Sequence, residues 1–317
     1  MSTTVTGTGL SAGYAGLASL IGNTPLLRLK RLTIGFPDNI RIYAKAEHLN
    51  PGGSVKDRAA LAMILDGERS GALRRGKTIL DATSGNTGIA YAMLGAARGY
   101  KVVLTLPSNA SPERKRILRS YGAVVIETDP LEATDGAQEE ARRLKMASPD
   151  KFFYPDQYNN EANWRAHYET TGPEIWEQTG GSVTHFVAGL GTTGTFTGTT
   201  RRLQDYNPEI RAFSVQPDSP LHGLEGMKHL ATAAVPGIYE AGLEDESLFV
   251  STEDAQEMTR LLARVEGLFV GVSSGANVLA AVETARRLGQ KGRGGSIVTV
   301  LCDGGERYLG ENFWDAV

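Results

Sequence analysis

The sequence predicts an α/β protein with two domains, each built on a largely parallel sheet. The chain has 317 residues, about twice the length of a typical single domain, so two hydrophobic cores are expected. Short β-branched runs alternate along the chain with segments of helical periodicity. Strands that alternate with helices form βαβ units, which assemble into mostly parallel sheets. Glycine-rich turns join several strands to the following helices, which is typical of ligand-binding turns in such sheets.

The elements follow from the same periodicity. Strands are predicted over residues 41–46, 78–81, 102–106, 123–127, 184–188, 210–215 and 297–301. Helices are predicted over residues 56–70, 86–98, 112–121, 133–147, 161–179, 195–206, 252–265 and 274–288. Ser111 and Ser251 stand where helix N-caps are expected, and Gly99 and Gly122 where helices end with positive φ.

Composition and charge narrow the function classes. Hydrophobic residues make up 41% of the chain and charged residues 22%, which excludes a disordered or fibrous protein. The formal net charge is −3, so there is no basic excess for nucleic-acid binding. No apolar run approaches the roughly 18 residues of a membrane span.

The cysteine count and the N-terminal segment bear on the compartment. Cys302 is the single cysteine, which excludes an intramolecular disulfide and a multi-cysteine metal site and fits a reducing cytoplasm. The segment before Arg28 has no Lys or Arg, unlike a signal or transit peptide, and we expect its first part to be a flexible or loosely docked leader. We therefore expect a cytoplasmic protein without a metal site.

Three strand-to-helix junctions are candidate anion sites. They are Thr83–Gly88, Gly189–Thr195 and Gly271–Gly275. Each places free backbone N–H groups and hydroxyls at a helix N-terminus, where a negative charge is stabilised.

The second junction leaves two interpretations open. It matches the G-x-G-x-x-G pattern in its strand–turn–helix context, so an NAD-dependent dehydrogenase is an alternative function. That pattern needs an acidic residue at the end of the next strand, and only Asp218 stands near that position, after Gln216. The dinucleotide fingerprint is therefore incomplete.

A further match is misleading. Residues 71–78 fit G-x-x-x-x-G-K-[ST] in every letter. A phosphate-binding P-loop follows a strand and opens a helix, whereas this segment follows a predicted helix and leads into a predicted strand. We therefore reject ATP binding at this position.

Lys56 is the candidate nucleophile. It follows Asn50-Pro51-Gly52-Gly53-Ser54-Val55, a turn that places Ser54 near an N-cap and Lys56 in the first helical turn. The helix dipole disfavours a cation there, which lowers the pKa of the amine and favours nucleophilic chemistry. The alternative is a solvated surface lysine.

These residues resemble the pyridoxal-phosphate dependent cysteine synthase and cystathionine β-synthase family, the fold-type II or tryptophan synthase β-like enzymes. The resemblance covers about residues 17–309. It rests on the Lys56 block, on Leu20–Leu26, on the Thr83–Gly88 turn, and on Gln157 followed by Asn163 and His167–Glu174. It is closest to the B-type cysteine synthases.

The resemblance implies a role for each matching residue. Lys56 would hold pyridoxal 5′-phosphate as a Schiff base and move the Cα proton of the substrate. Asn86 would bond the 3′-oxygen of the cofactor, and Ser273 would meet its pyridine nitrogen. The cofactor phosphate would be held by Gly191, Thr192, Thr193, Gly194 and Thr195. The substrate carboxylate would be held by Thr83, Ser84, Thr87 and Gln157. His167, His185 and Cys302 are expected to be packing residues.

The resemblance also implies domains and a reaction. A small mobile domain over residues 50–160 would close on a large cofactor domain formed by residues 1–49 and 161–317. The expected reaction is a β-replacement that converts an O-activated L-serine and a sulfur donor to L-cysteine. Within the class, a cystathionine β-synthase and a serine or threonine dehydratase are the alternatives. A homodimer without nucleic-acid or membrane partners is expected.

The serine donor is left open by the sequence. The segment before Val235-Pro236 resembles B-type enzymes, some of which carry a basic residue here. Those enzymes accept O-phosphoserine, or bulky sulfur donors such as thiosulfate or a thiocarboxylated carrier protein. Lys228 stands at that position, with His222 and His229 nearby, and a cation there would stabilise a phosphate leaving group. The alternative for Lys228 is a solvated loop lysine.

Overall fold

The fold was obtained as a computed structural model, which describes residues 16–83 and 85–315. Over these residues it has two sheets. The strands are β1 (Leu26–Arg28), β2 (Ile40–Ala46), β3 (Thr78–Ala82), β4 (Lys101–Pro107), β5 (Val124–Thr128), β6 (Phe152–Phe153), β7 (His185–Gly189), β8 (Arg211–Pro217), β9 (Glu246–Val250) and β10 (Gly295–Leu301).

The helices lie between the strands, as the alternating pattern predicts. They are α1 (Lys56–Arg69), α2 (Asn86–Arg98), α3 (Pro112–Ser120), α4 (Ala133–Ala147), α5 (Glu161–Ala166), α6 (Gly172–Gln178), α7 (Gly194–Tyr206), α8 (Thr252–Leu261) and α9 (Val272–Gln290). Short 3₁₀ turns and two π-helical turns complete the described chain.

The two sheets have separate strand sets. The six-stranded sheet has the order β1-β2-β10-β7-β8-β9, and the four-stranded sheet has the order β5-β4-β3-β6. All neighbouring strands are parallel except β1 and β2. The predicted α/β class with largely parallel sheets is confirmed. The strands of the four-stranded sheet all lie between residues 78 and 153, inside the expected small domain, whose boundaries stay a prediction.

Helices cover both faces of each sheet, so the strands are buried on both sides. In the six-stranded sheet, Ile297 packs with α8 and α9 on one face, while Val298 packs against α7 residues on the other. In the four-stranded sheet, Ile79 belongs to the core with α1 and α2, and Leu80 packs towards α4. Strand ends from both sheets border one cavity, which is lined by Ala82, the last residue of β3, and by Gly191, two residues after β7.

The structure differs from the predicted elements in two ways. Strands β1, β6 and β9 were not expected, because two- to five-residue edge strands depend on a tertiary partner more than on local pattern. The predicted helix over 252–265 ends in a π-helical turn at Leu262–Glu266, and the predicted helix over 161–179 is interrupted by a π-helical turn at His167–Thr171. Pro173 has no N–H to donate back to the preceding turn, and the wider π turn accommodates that lost bond.

The capping predictions and the rejected P-loop agree with the local structure. Ser111 and Ser251 accept bonds from the N–H groups of Arg114 and Asp254 at the starts of α3 and α8. Residues 71–78 connect the end of α1 to β3, so they lack the strand-to-helix geometry of a P-loop. Within the described residues, none of the helices is long and apolar enough to cross a membrane.

Candidate active site

The predicted site residues meet at the carboxyl ends of strands from both sheets. A cavity of about 240 Å³ is lined by Lys56, Thr83, Asn86, Thr87, Gln157, Thr192 and Lys228. A smaller adjoining cavity of about 50 Å³ is lined by Lys56, Asn86, Gly191, Thr195, Ser273 and Cys302. Thr193 and Gly194 belong to the same turn as Thr192, and Ser84 lies outside the described residues. A larger cavity of about 510 Å³ beside α1 and α5 is lined by none of the predicted site residues.

Lys56 is the first residue of α1, as predicted. Gly53 has a φ of +77°, and the buried Ser54 accepts the Lys56 N–H at 3.2 Å, which completes the turn. Burial is the main cause that lowers the pKa of the Lys56 amine, opposed by the nearby Cys302 and Asp303. Burial therefore acts on the pKa of this amine in the same direction as the helix dipole expected from the sequence.

A buried ionic network holds the start of α1 in place. Arg58 donates to Glu47 at 2.7 Å and to Glu174 at 2.7 Å, and Lys45 pairs with Glu174 at 2.6 Å. Arg58 lowers the pKa of Glu47 to about 2 against the opposing effect of burial, so this carboxylate stays ionised. The network joins α1 to β2, to the turn after it and to α6, and its α1 member, Arg58, is two residues from Lys56.

The turn at residues 191–195, the glycine cradle, has the features of a phosphate site. A Cβ on Gly191 would lie 2.1 Å from the Gly226 carbonyl oxygen, and one on Gly194 would lie 2.0 Å from Asn163 Oδ1. Thr193 has a φ of +71°, and its buried hydroxyl has no hydrogen-bond partner. Free N–H groups at the start of α7 with an unused hydroxyl fit a dianionic phosphate, so the residues present fit pyridoxal phosphate here.

His167 lies directly behind the glycine cradle. Its ring nitrogens contact the hydroxyls of Thr171 at 2.9 Å and Thr195 at 3.2 Å. Burial is the main cause that lowers the pKa of His167 to about 3, so the imidazole is neutral. From the sequence, His167 was expected only to pack. Its contact with Thr195 joins residues 28 positions apart, so no local pattern predicts it.

One wall of the 240 Å³ cavity includes Thr83, Thr87 and Gln157, which are expected to bind the substrate carboxylate. The Thr87 hydroxyl donates to Gln157 Oε1 at 2.8 Å, and both side chains are buried. The Thr83 hydroxyl accepts the Gly85 N–H at 3.3 Å. The Gln157 amide N–H groups and the start of α2 are donors suited to a carboxylate.

The Asn86 side chain is hydrogen-bonded by two residues, Asp303 and Arg307, that were not among the predicted site residues. Its Nδ2 donates to Asp303 Oδ2 at 2.7 Å, and its Oδ1 accepts from Arg307. The Tyr308 hydroxyl donates to the same Asp303 oxygen at 2.6 Å. The residue types in Asp303–Tyr308 were visible in the sequence, but no local pattern links them to Asn86.

Ser273 and Cys302 lie together in the smaller cavity. Ser273 is in the first turn of α9 and is buried. Burial raises the pKa of the Cys302 thiol to about 11. Cys302 packs against the core of the six-stranded sheet, as expected, and it also lines the cavity beside Lys56. His185 does pack as expected, edge-on against Phe213 in the six-stranded sheet.

Lys228 lies in the loop after β8 and lines the 240 Å³ cavity. Its amine lies 5.0 Å from the centre of the Tyr158 ring, and burial lowers its pKa. His222 and His229 are not among the residues that line this cavity. Glu225 also lines it and forms an ion pair with Arg114 of α3, so the cavity mouth has charges of both signs.

No cluster of metal-ligating side chains occurs among the residues that the structure covers. The residues of the two adjoining cavities are suited to an organic anion, because they combine an amine whose pKa is lowered with a helix start and hydroxyl and amide groups that can bind phosphate and carboxylate oxygens. Such an arrangement supports cofactor chemistry at an enclosed lysine.

Comparisons with known proteins agree with this chemistry. The family profile "Pyridoxal-phosphate dependent enzyme" matches residues 17–303. A cysteine synthase from Aquifex aeolicus is 53% identical over 92% of this chain and 90% of its own length. Cysteine synthase B from Escherichia coli is 44% identical over 92% of this chain and 94% of its own length.

The solved structures lead to the same group. The crystal structure of a cysteine synthase from Entamoeba histolytica aligns with a TM-score of 0.92 and 32% identity, covering 100% of this chain and 95% of that chain. These matches favour the pyridoxal-phosphate interpretation of the glycine cradle over the dinucleotide one. The chain belongs to the cysteine synthase family of pyridoxal-phosphate dependent enzymes.

Proposed function

We propose that this protein is a cysteine synthase that replaces the ester group of an O-activated L-serine by a sulfur nucleophile. The products are L-cysteine and the released acetate or phosphate. The observation that carries the proposal is the enclosed amine of Lys56. Lys56 lines both cavities, together with residues of the glycine cradle and with the hydrogen-bonded pair Thr87 and Gln157. When bound, pyridoxal 5′-phosphate supplies an electron-withdrawing ring that makes the Cα proton of the amino acid acidic.

Each part of the site has a task in this reaction. The glycine cradle, residues 191–195, binds the phosphate through backbone N–H groups and threonine hydroxyls. Thr83, Ser84, Thr87 and Gln157 bind and orient the substrate carboxylate. Lys56 holds the cofactor and then moves the proton at Cα. Burial lowers the pKa of its amine, which favours the neutral form that accepts this proton.

Ser273 favours β-replacement over reactions that need a protonated pyridine nitrogen. A serine hydroxyl is neutral, so it does not hold that nitrogen protonated as an aspartate does. We expect Ser273→Asp to slow the β-replacement and to shift the visible absorption band of the bound cofactor. If Ser273→Asp keeps full activity and an unchanged absorption spectrum, Ser273 does not contact the pyridine nitrogen.

Trapping the cofactor tests the proposal. The purified protein should be yellow, and borohydride should fix the cofactor on the peptide that contains Lys56. Lys56→Ala should remove the covalent attachment, while Lys291→Ala, at an exposed position after α9, should leave it intact. A colourless protein that pyridoxal phosphate does not reconstitute contradicts the proposed function.

We propose O-phosphoserine as a donor, through Lys228. Among the described residues that line the 240 Å³ cavity, Lys228 is the only lysine or arginine besides Lys56. In its protonated form the Lys228 amine stabilises the charge that grows on a phosphate leaving group. The expected result for Lys228→Ala is a loss of about tenfold or more in phosphate release from O-phosphoserine. Acetate release from O-acetylserine should stay near the parent rate.

The control for this comparison is Lys151→Ala, which removes an exposed lysine from the same chain. It should leave both rates unchanged. If Lys228→Ala and the parent release phosphate from O-phosphoserine and acetate from O-acetylserine at the same rates, Lys228 has no role in the choice of donor. Sulfide, thiosulfate and a thiocarboxylated carrier protein are then compared as second substrates by cysteine formation.

The assembly and the compartment belong to the proposal as well. We propose a cytoplasmic homodimer, in line with the family resemblance and the single cysteine. Sedimentation equilibrium of the purified chain distinguishes a dimer from a monomer. Closure of the small domain, residues 50–160, on the large one would exclude water from the cavity.

A further inference from the structure

The segment Asp303–Tyr308 binds two parts of the site at once. The Arg307 side chain is 7% exposed, and its two terminal nitrogens donate to different segments. One nitrogen donates to Asn86 Oδ1 at the start of α2, and the other donates to the carbonyl oxygen of Gly52. Arg307 therefore connects the Asn86 helix with the turn that leads to Lys56.

The partners of Asn86 define the orientation of its amide. Arginine has only donors, so it requires the carbonyl oxygen of Asn86 on its side. Asp303 Oδ2 already accepts the Tyr308 hydroxyl at 2.6 Å, and it accepts Asn86 Nδ2 at 2.7 Å. A flipped amide would set N–H groups against the guanidinium and a carbonyl against the carboxylate, which is unfavourable at both ends.

This orientation leaves one donor unused. The Asn86 amide nitrogen has two hydrogens, and Asp303 accepts one of them. Asn86 lines both cavities beside Lys56, so the second N–H is available to an acceptor in the site.

The Gly52 turn is fixed from two sides. Arg307 binds its carbonyl oxygen, and Asp57 Oδ2 accepts its N–H at 2.5 Å. A Cβ on the neighbouring Gly53 would lie 2.5 Å from Arg307 Nη2, so the guanidinium occupies the space that a side chain would need. The turn therefore has little freedom to displace Lys56.

We propose that Arg307 and Asp303 are positioning residues that hold the Asn86 amide with one N–H facing the Lys56 cavity. The inference rests on the proposed function, because the acceptor of that N–H is an oxygen of the bound cofactor. Arg307 also sets the distance between Asn86 and the Lys56 turn. Neither residue needs to touch the substrate for this role.

A double-mutant cycle on the cofactor-loaded protein tests the inference. The variants are Arg307→Lys, Asn86→Ala and the double variant, and the readouts are the cofactor release rate and the visible circular dichroism of the bound cofactor. Lysine keeps the charge but lacks the fork that reaches two acceptors. We expect Arg307→Lys to speed release about tenfold in the parent and less than about twofold in the Asn86→Ala background.

Two further variants make the cycle specific. Arg286→Lys changes an arginine whose side chain is 59% exposed and should leave both readouts unchanged. We expect Arg307→Lys and Arg307→Met both to lower the visible dichroism of the bound cofactor, because Arg307 no longer orients the Asn86 amide. If Arg307→Met fails to fold, the lysine variant still completes the cycle.

The outcomes separate the inference from the proposed function. Independent effects of Arg307→Lys and Asn86→Ala on cofactor release would overturn the positioning role, as would an unchanged dichroism in both Arg307 variants. A parent protein that holds no pyridoxal phosphate overturns the proposed function instead.

Discussion

At the scale of the residue, Lys56 shows how the site uses burial. Enclosing an amine in the cleft disfavours its charged form, which lowers its pKa from 10.5. The neutral amine is the form that binds a carbonyl group and accepts a proton, so the site gains reactivity. The same burial costs stability, because the unfolded chain keeps the proton in water.

The pH dependence of stability measures this cost. Between the lowered pKa of folded Lys56 and the unperturbed 10.5, the unfolded chain binds more protons, so lowering the pH in that range favours unfolding. In the cofactor-free protein we expect Lys56→Met to raise the free energy of unfolding at pH 7 by about 1–3 kcal/mol. The gain should shrink as the pH approaches 10.5.

Urea denaturation from pH 7 to pH 10 measures that difference. Lys291→Met, at an exposed position, serves as the control and should show no pH-dependent gain. A Lys56→Met protein that is less stable at pH 7, or whose advantage grows with pH, contradicts burial as the main cause of the lowered pKa.

At the scale of the element, the position of α7 depends on close helix packing. A Cβ on Gly198 would lie 2.0 Å from the Trp164 carbonyl oxygen and 2.9 Å from His167 Cβ. Gly198 thus allows α7 to approach α5 and the His167–Thr171 turn. Because the glycine cradle opens α7, this contact also positions the proposed phosphate site.

We expect Gly198→Ala to destabilise the protein by about 3 kcal/mol and to weaken cofactor binding, because backbone atoms rather than flexible side-chain ends block the methyl group. Thermal unfolding and cofactor titration measure the two effects. The matched control is Gly289→Ala in α9, where the added Cβ meets Ile40 Cδ1 at an ordinary 3.5 Å.

The control should be neutral or slightly stabilising, since alanine has the higher helix propensity. If Gly198→Ala behaves like Gly289→Ala, the separation of α5 and α7 does not depend on this glycine.

At the scale of the whole molecule, an ion pair spans the cleft between the two sheets. Arg114 lies in α3, which packs beside the four-stranded sheet, and Glu225 lies in the loop after β8 of the six-stranded sheet. The Arg114 guanidinium is also 5.4 Å from the centre of the Tyr308 ring. Through these contacts Arg114 of α3 binds two residues that line the 240 Å³ cavity, Glu225 and Tyr308.

Removing the charge of Glu225 should loosen the loop that carries Lys228. We expect Glu225→Gln to speed amide hydrogen exchange several-fold over residues 221–227, because an ion pair with a well-buried arginine partner is lost. Mass spectrometry of the exchanged peptides measures this, with strand β10 as the internal reference.

Glu161→Gln is the matched control, since it breaks an exposed Arg165–Glu161 pair within one helix. It should leave residues 221–227 unchanged. Equal exchange in the Glu225→Gln and control proteins would show that the ion pair does not hold the loop.

The sequence by itself determined the parts of this protein that depend on local pattern. Helical periodicity and a glycine C-cap specify α2, and β-branched runs specify β10, because neighbouring residues set these preferences. The Pro-Gly-Gly turn places Lys56 at a helix start, and the glycine cradle follows a strand, for the same reason. The family motifs added chemical roles to these positions.

Only the tertiary structure decided the contacts between distant segments. Asn86 and Arg307 are separated by 221 residues, and Arg114 and Glu225 by 111. The short edge strand β9 likewise exists by pairing with β8. Periodicity reports which face of an element is buried, but the partner on that face depends on how the sheets and helices pack, and no local interaction encodes that choice.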